Sequence, residues 1–126
     1  MKLFSALIVM VVLVMSLGLW INHSLELAAQ ELTHHLDRVI REVNRSDWPQ
    51  ANKHVEAMER DWKQIGKWWP VLMDHQEIDN IEFSLAKTRE YIAAKEKVES
   101  LAQLSELRLM ILHLPKKEAI TLENIL

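Results

Sequence analysis

The stretch "LELAAQELTHHLDRVIREV", residues 25–43, decides how the rest of this chain folds. Its apolar positions are Leu25, Ala29, Leu32, Leu36, Val39 and Val43, at steps of four, three, four, three and four. That alternation lines one face of an α-helix. No breaker separates Ile21 from Leu25, so the helix extends back into "LFSALIVMVVLVMSLGLWI", residues 3–21. This run is uncharged and, as a helix, spans roughly 28 Å, close to the hydrocarbon thickness of a bilayer. One continuous helix is therefore predicted from the membrane segment to about Arg45.

Residues 1–21 read as a transmembrane anchor and 22–126 as a separate extramembrane domain. Lys2 precedes the apolar run, and no Lys or Arg follows until Arg38. The positive-inside bias places the N-terminus in the cytoplasm and the domain on the extracytoplasmic side of the cell membrane, as a single-pass protein. Trp20 ends the run where an interfacial aromatic is favourable. The competing reading is a cleaved signal peptide, with Ser16 and Gly18 as small residues two apart, which would release a secreted soluble helical protein. Against it, Leu19, Trp20 and Ile21 continue the apolar run past that point.

The composition agrees with an all-α fold. The chain has 2 glycines and 3 prolines, too few for the frequent turns of a sandwich or barrel. Cysteine is absent, so there is no disulfide framework and no thiolate chemistry. The formal net charge is −3, with acids and bases interspersed as on solvated helix faces. No basic stripe supports nucleic-acid binding.

Three more helical segments follow. "NRSDWPQ", residues 44–50, restarts the chain with Asp47 as N-cap and Pro49 in the first turn. Trp48, Ala51, Val55, Met58, Trp62, Ile65 and Trp69 then form a stripe, ending between Ile65 and Trp69, with Gly66 and Pro70 as terminators. The third helix starts at Asp74, with Glu77 at the capping-box position, and uses Ile78, Ile81, Leu85, Ala86 and Ile92 up to about Ala94. "KEK", residues 95–97, is the next connection. The fourth runs from about Val98 to Leu114 on Leu101, Leu104, Leu107, Ile111 and Leu114, and Pro115 is expected to stop it. Short connections favour antiparallel neighbours, so the expected architecture is an up-down bundle of about four helices continuous with the anchor. No internal repeat is evident.

Helix lengths carry a further expectation. The first helix leaves the membrane and runs about 36 Å outward, and the second returns about 33 Å. This places "GKWWPVLM", residues 66–73, near the level of Trp20, with the tail "PKKEAITLENIL", residues 115–126, at the same end. Lys67, Lys116 and Lys117 would then face anionic headgroups. Trp68 and Trp69 are adjacent, so both cannot enter one core, and one is expected to face a membrane or a partner. Trp48 and Trp62 lie on the helix-two stripe and are expected in the core.

Candidate chemistry is sparse. His75, Asp79 and Glu82 share one side of the third helix and are the best candidates for a divalent-metal or small-ligand sensor. The capping role of Asp74 and Glu77 accounts for most of the same cluster. His34 and His35 are adjacent and point to different faces; His35 and Arg38 form a polar-face pair. His54 and His113 are isolated. No zinc-protease, phosphate-loop, nucleophile-elbow or dinucleotide motif is present, and no serine is paired with a base in any motif. Asn80 and Ser84 share a face beside Ile78 and Ile81, either as a polar contact inside the bundle or as a partner-binding surface.

Several stretches carry a resemblance. "ANKHVEAMERDW", "KWW", "DHQEIDNIE" and "PKKEAITLENIL" resemble the small membrane-anchored proteins of domain-of-unknown-function family 4363. The resemblance implies a single N-terminal membrane segment and an origin mainly among Gram-positive endospore formers. It brings no established activity, cofactor or catalytic residue. Members are often encoded beside a multi-pass membrane protein, which implies a membrane-protein partner in addition to the lipid bilayer. The reading that follows is a non-enzymatic, cofactor-free accessory protein. It would bind its partner through the membrane-proximal end (Trp20, Lys67, Trp68, Trp69) and helix three (Asn80, Ser84).

Overall fold

A computed structural model of the chain describes residues 1–67 and 73–125. Among the described residues there are four helices: α1 (Lys2–Asn44), α2 (Trp48–Ile65), α3 (His75–Ala93) and α4 (Lys97–Ile125). Among the described residues there is no strand. α1 packs beside α2 and α4, and α3 also packs beside α2 and α4. The helices therefore form an up-down ring of four, as short connections require.

α1 is uninterrupted for 43 residues, about 64 Å at the α-helical rise. Its two parts meet different surroundings. The large apolar side chains from Leu3 to Trp20 are 48–88% exposed. From Leu25 onward the predicted stripe is buried: Leu32, Leu36, Val39 and Val43 are at most 1% exposed. Ile21 is half-buried against the core, so the bundle begins one residue after Trp20. The apolar stretch is long and hydrophobic enough to cross a membrane.

The two hairpin connections, 45–47 and 94–96, are built alike. Ser46 and Lys95 both adopt the left-handed backbone, at φ 56° and 59°. Ser46 N–H donates to Val43 O (2.9 Å) and Asp47 N–H to Glu42 O (2.9 Å). The second turn repeats this with Lys95 N–H to Ile92 O (3.0 Å) and Glu96 N–H to Tyr91 O (3.0 Å). These paired bonds are a Schellman closure, which satisfies carbonyls that a helix end leaves open. Asp47 serves both neighbours, because its N–H closes α1 while its carboxylate accepts from Gln50 N–H at 3.4 Å to open α2. Asp74 opens α3 with a β-region backbone and a bond from Gln76 N–H at 3.1 Å. Glu77 N–H donates to the Asp74 carbonyl at 3.1 Å in the same turn.

Gly66 ends α2 without a positive φ. Its N–H donates to Trp62 O at 2.7 Å, and a β-carbon there would stand 2.7 Å from the same oxygen. The missing side chain permits this close last turn.

α4 departs from expectation: it does not stop at Pro115 but continues to Ile125. A proline inside a helix removes one backbone donor from the ladder. The backbone beyond it resumes its own bonding ladder, and "KKEA", residues 116–119, consists of good helix formers. Those residues support helix on the far side of a local defect.

The core fills the ring. Leu36, Val39, Met58, Ile81, Ile92, Leu104 and Leu107 are at most 1% exposed. Burying each such side chain contributes roughly 1.5–3 kcal/mol. Trp62 is buried, as the stripe predicted, whereas Trp48 only lies against the core edge. Ala86, expected on the apolar face of α3, is exposed.

Candidate functional site: the membrane-proximal end

Polar ties across the helix seams fix the height of each element. On the α1–α2 seam, His54 Nδ1 lies 2.6 Å from Glu42 Oε1 and His35 Nε2 lies 3.3 Å from Asp61 Oδ2. The two pairs are one heptad apart on both helices, so they share one antiparallel register. In that register Ile65, the last residue of α2, is level with Glu31 on α1. Eleven residues separate Glu31 from Trp20, about 16 Å along the helix. The expectation that helix two returns to the level of Trp20 is thus corrected: α2 ends at Ile65 after 18 residues, and its first turn is paired beyond the end of α1. Lys67 is exposed just past this end. Trp68 and Trp69, with residues 70–72, lie outside the described residues.

The other seams are tied similarly. Arg108 Nε donates to Asp37 Oδ1 at 3.0 Å, joining α4 to α1. Lys97 Nζ donates to Asn44 O at 2.8 Å at the far end of the same seam. Gln103 Nε2 donates to Ser84 Oγ at 2.7 Å between α4 and α3. Between α2 and α3, Arg89 Nη1 stands 3.4 Å from Glu59 Oε2, and Trp62 Nε1 donates to Glu82 Oε1 at 3.4 Å.

These contacts decide the fate of the candidate residues. Ser84 is buried, bonded to Gln103 through its hydroxyl and to Thr88 Oγ1 (2.7 Å) through its carbonyl. It is a contact inside the bundle and is withdrawn from the partner-binding surface. Asn80, one turn earlier, is exposed. Trp20 is 66% exposed at the end of the apolar stretch. His75 and Asp79 are exposed, while Glu82 is engaged by Trp62. Among the described residues no group of three His, Asp or Glu side chains converges to hold a metal ion.

Two histidine roles were not visible in the sequence. His54 looked isolated and His35 looked like a partner of Arg38; each instead meets a carboxylate across the α1–α2 seam. The heptad spacing of Glu42 with His35 and of His54 with Asp61 is a signal that pairing the two helices in antiparallel register would have found.

A groove of about 240 Å³ opens along the α2–α3 seam. Glu59, Trp62, Lys63, Glu82, Leu85 and Arg89 line it. Its charged groups are largely engaged with one another, through Glu59–Arg89 and Trp62–Glu82. Single exposed apolar residues elsewhere on the bundle, such as Leu27, Phe83 and Leu109, are of the kind found scattered on any surface.

The fold defines the class: an all-α, up-down four-helix bundle whose first helix is continuous with an apolar segment long enough to span a bilayer. The chain matches the model of the family described as domain of unknown function 4363 over residues 19–125 and belongs to that family. No curated protein and no solved structure matches it.

Proposed function

We propose that this is a non-enzymatic, membrane-anchored accessory protein. α1 crosses the cell membrane once, with Lys2 on the cytoplasmic side, and holds the bundle outside the cytoplasm. The bundle engages a membrane-protein partner through its membrane-proximal end, at Trp20, Lys67 and the adjoining Trp68 and Trp69, and through the outer face of α3 at Asn80.

The observation that carries this reading is the division of α1. One continuous helix is exposed and apolar over one part and forms a wall of the core over the next. A membrane span coupled to a folded domain without a flexible linker fixes the domain's height and rotation above the bilayer. Such coupling suits a protein that presents a surface to a neighbour in the same membrane. The absence of any recognisable catalytic motif in the sequence fits a binding role.

Photocrosslinking residues placed at Trp20, Lys67 and Asn80 in native membranes test the proposal. A common protein adduct from at least two of these sites is the expected result. Adducts with lipid alone at all three would sink the partner assignment.

A further inference from the structure

We infer that the last three turns of α4, residues 115–125, form a second contact with the bilayer that α1 crosses. The inference rests on the reading of α1 as the membrane span, and adds a second element that reaches the headgroup layer.

Arg108 meets Asp37 across the α4–α1 seam at 3.0 Å. Following both helices from that pair, Leu114 is level with Glu31 and Ile125 is level with Trp20. The Lys97–Asn44 contact gives a register about one turn lower, placing Ile125 level with Ser16. Both put the end of α4 at the bundle-side end of the apolar stretch. The other two helices do not reach it. α2 ends level with Glu31, and the Ser84–Gln103 bond places His75, the start of α3, level with Leu112 of α4. α4 therefore runs about 16 Å past the turn that joins α2 and α3.

Burial on α1 supports the same picture independently. Below the level of Glu31, Ala29 and Leu25 are only 4% and 3% exposed. Ile21 is packed against the core, and the amide oxygen of Asn22 is shielded. α1 is thus covered down to the first residues after Trp20, where α2 has already ended. Met73, buried at 7%, belongs to the same core. The extension of α4 supplies the remaining length. Between the four-helix ring and the bilayer, α1 and α4 form a two-helix stalk.

The chemistry of residues 115–126 fits a headgroup layer. Along the sequence, Lys116, Lys117 and Glu118 come first, and Ile120, Leu122 and Ile125 follow, with Glu123 among them. Lysines at the outer end and apolar residues toward the far end fit an anionic interface, in which Glu123 stays at the wet headgroup level.

The chain has no cysteine, so single cysteines can be spin-labelled without background. The full-length protein is reconstituted into phosphatidylcholine vesicles containing phosphatidylglycerol, with labels at Leu13→Cys, Ser105→Cys, Glu123→Cys and Ile125→Cys. Collision rates with oxygen, which partitions into lipid, and with a water-soluble nickel chelate are compared. The oxygen-to-nickel ratio at positions 123 and 125 is expected to exceed that at position 105 several-fold and to approach that at 13. Ratios at 123 and 125 equal to that at 105, with 13 in lipid, overturn the second contact alone. A water-exposed label at 13 overturns the membrane span and this inference together.

Discussion

Ser46 and Lys95 hold the same left-handed backbone, φ 56° and 59°, at equivalent places in the two hairpin turns. Neither is glycine, although this conformation brings the β-carbon of an L-residue against its own carbonyl, at roughly 1–2 kcal/mol. The turns are nonetheless closed by two backbone bonds each. Ser46→Gly and Lys95→Gly are each expected to stabilise the bundle by about 0.5–1 kcal/mol. The relieved strain is partly offset by the greater freedom of glycine in the unfolded chain. Urea unfolding checks this: the midpoint should rise with an unchanged slope. A lower midpoint for either variant would show that the β-carbon is not strained.

Core and surface positions should separate cleanly. Leu36 is fully buried in the ring, and Leu36→Ala is expected to cost about 2–5 kcal/mol through lost transfer energy and a residual cavity. Val98, 75% exposed at the first turn of α4, should tolerate Val98→Ser within about 0.5 kcal/mol. Thermal melts of both variants in detergent give the comparison.

Asn80 and Ser84 lie one turn apart and should behave differently. Ser84→Ala removes the acceptor of the Gln103 amide in a buried site and is expected to destabilise by about 1 kcal/mol. Asn80→Ala should leave stability within about 0.5 kcal/mol and, on the proposed function, reduce crosslinking to the partner. A stable Ser84→Ala protein with impaired partner capture would return Ser84 to the outer surface.

The Asp37–Arg108 pair marks the register of α4 on α1 and adds little stability. Both side chains are 40% exposed, so solvent and salt screen them. A double-mutant cycle with Asp37→Asn and Arg108→Gln should give a coupling of about 0.2–1 kcal/mol. The coupling should shrink in concentrated salt. A coupling several times larger that ignores salt would contradict the exposed placement of the pair.

Pro115 interrupts a helix that continues on both sides. Pro115→Ala restores the missing backbone donor and should stabilise the protein by up to about 3 kcal/mol. Far-ultraviolet circular dichroism should show equal or higher helix content. A loss of helix would mean that the chain needs the proline to direct α4.

The sequence alone determined the helices, because their signals are local. The three-four alternation from Leu25 to Val43 requires a helix whatever it packs against, and the uncharged run from Leu3 to Ile21 continues it. Asp47 and Asp74 announce helix starts because a carboxylate one residue before a helix satisfies free N–H groups. Family membership was legible in the same stretches. Only the tertiary structure decided height and facing. The fate of Ser84 depends on Gln103, nineteen residues away, and His54 is understood only beside Glu42. Matched helix lengths suggested that α2 returns to the membrane, but length does not set register; side-chain pairs across the seam do. They leave α2 short of Trp20 by about 16 Å and bring α4 down instead. Pro115 misled the sequence reading for a related reason. A proline's local cost is readable from one residue, whereas whether a helix bears it depends on what the chain on either side gains by remaining helical.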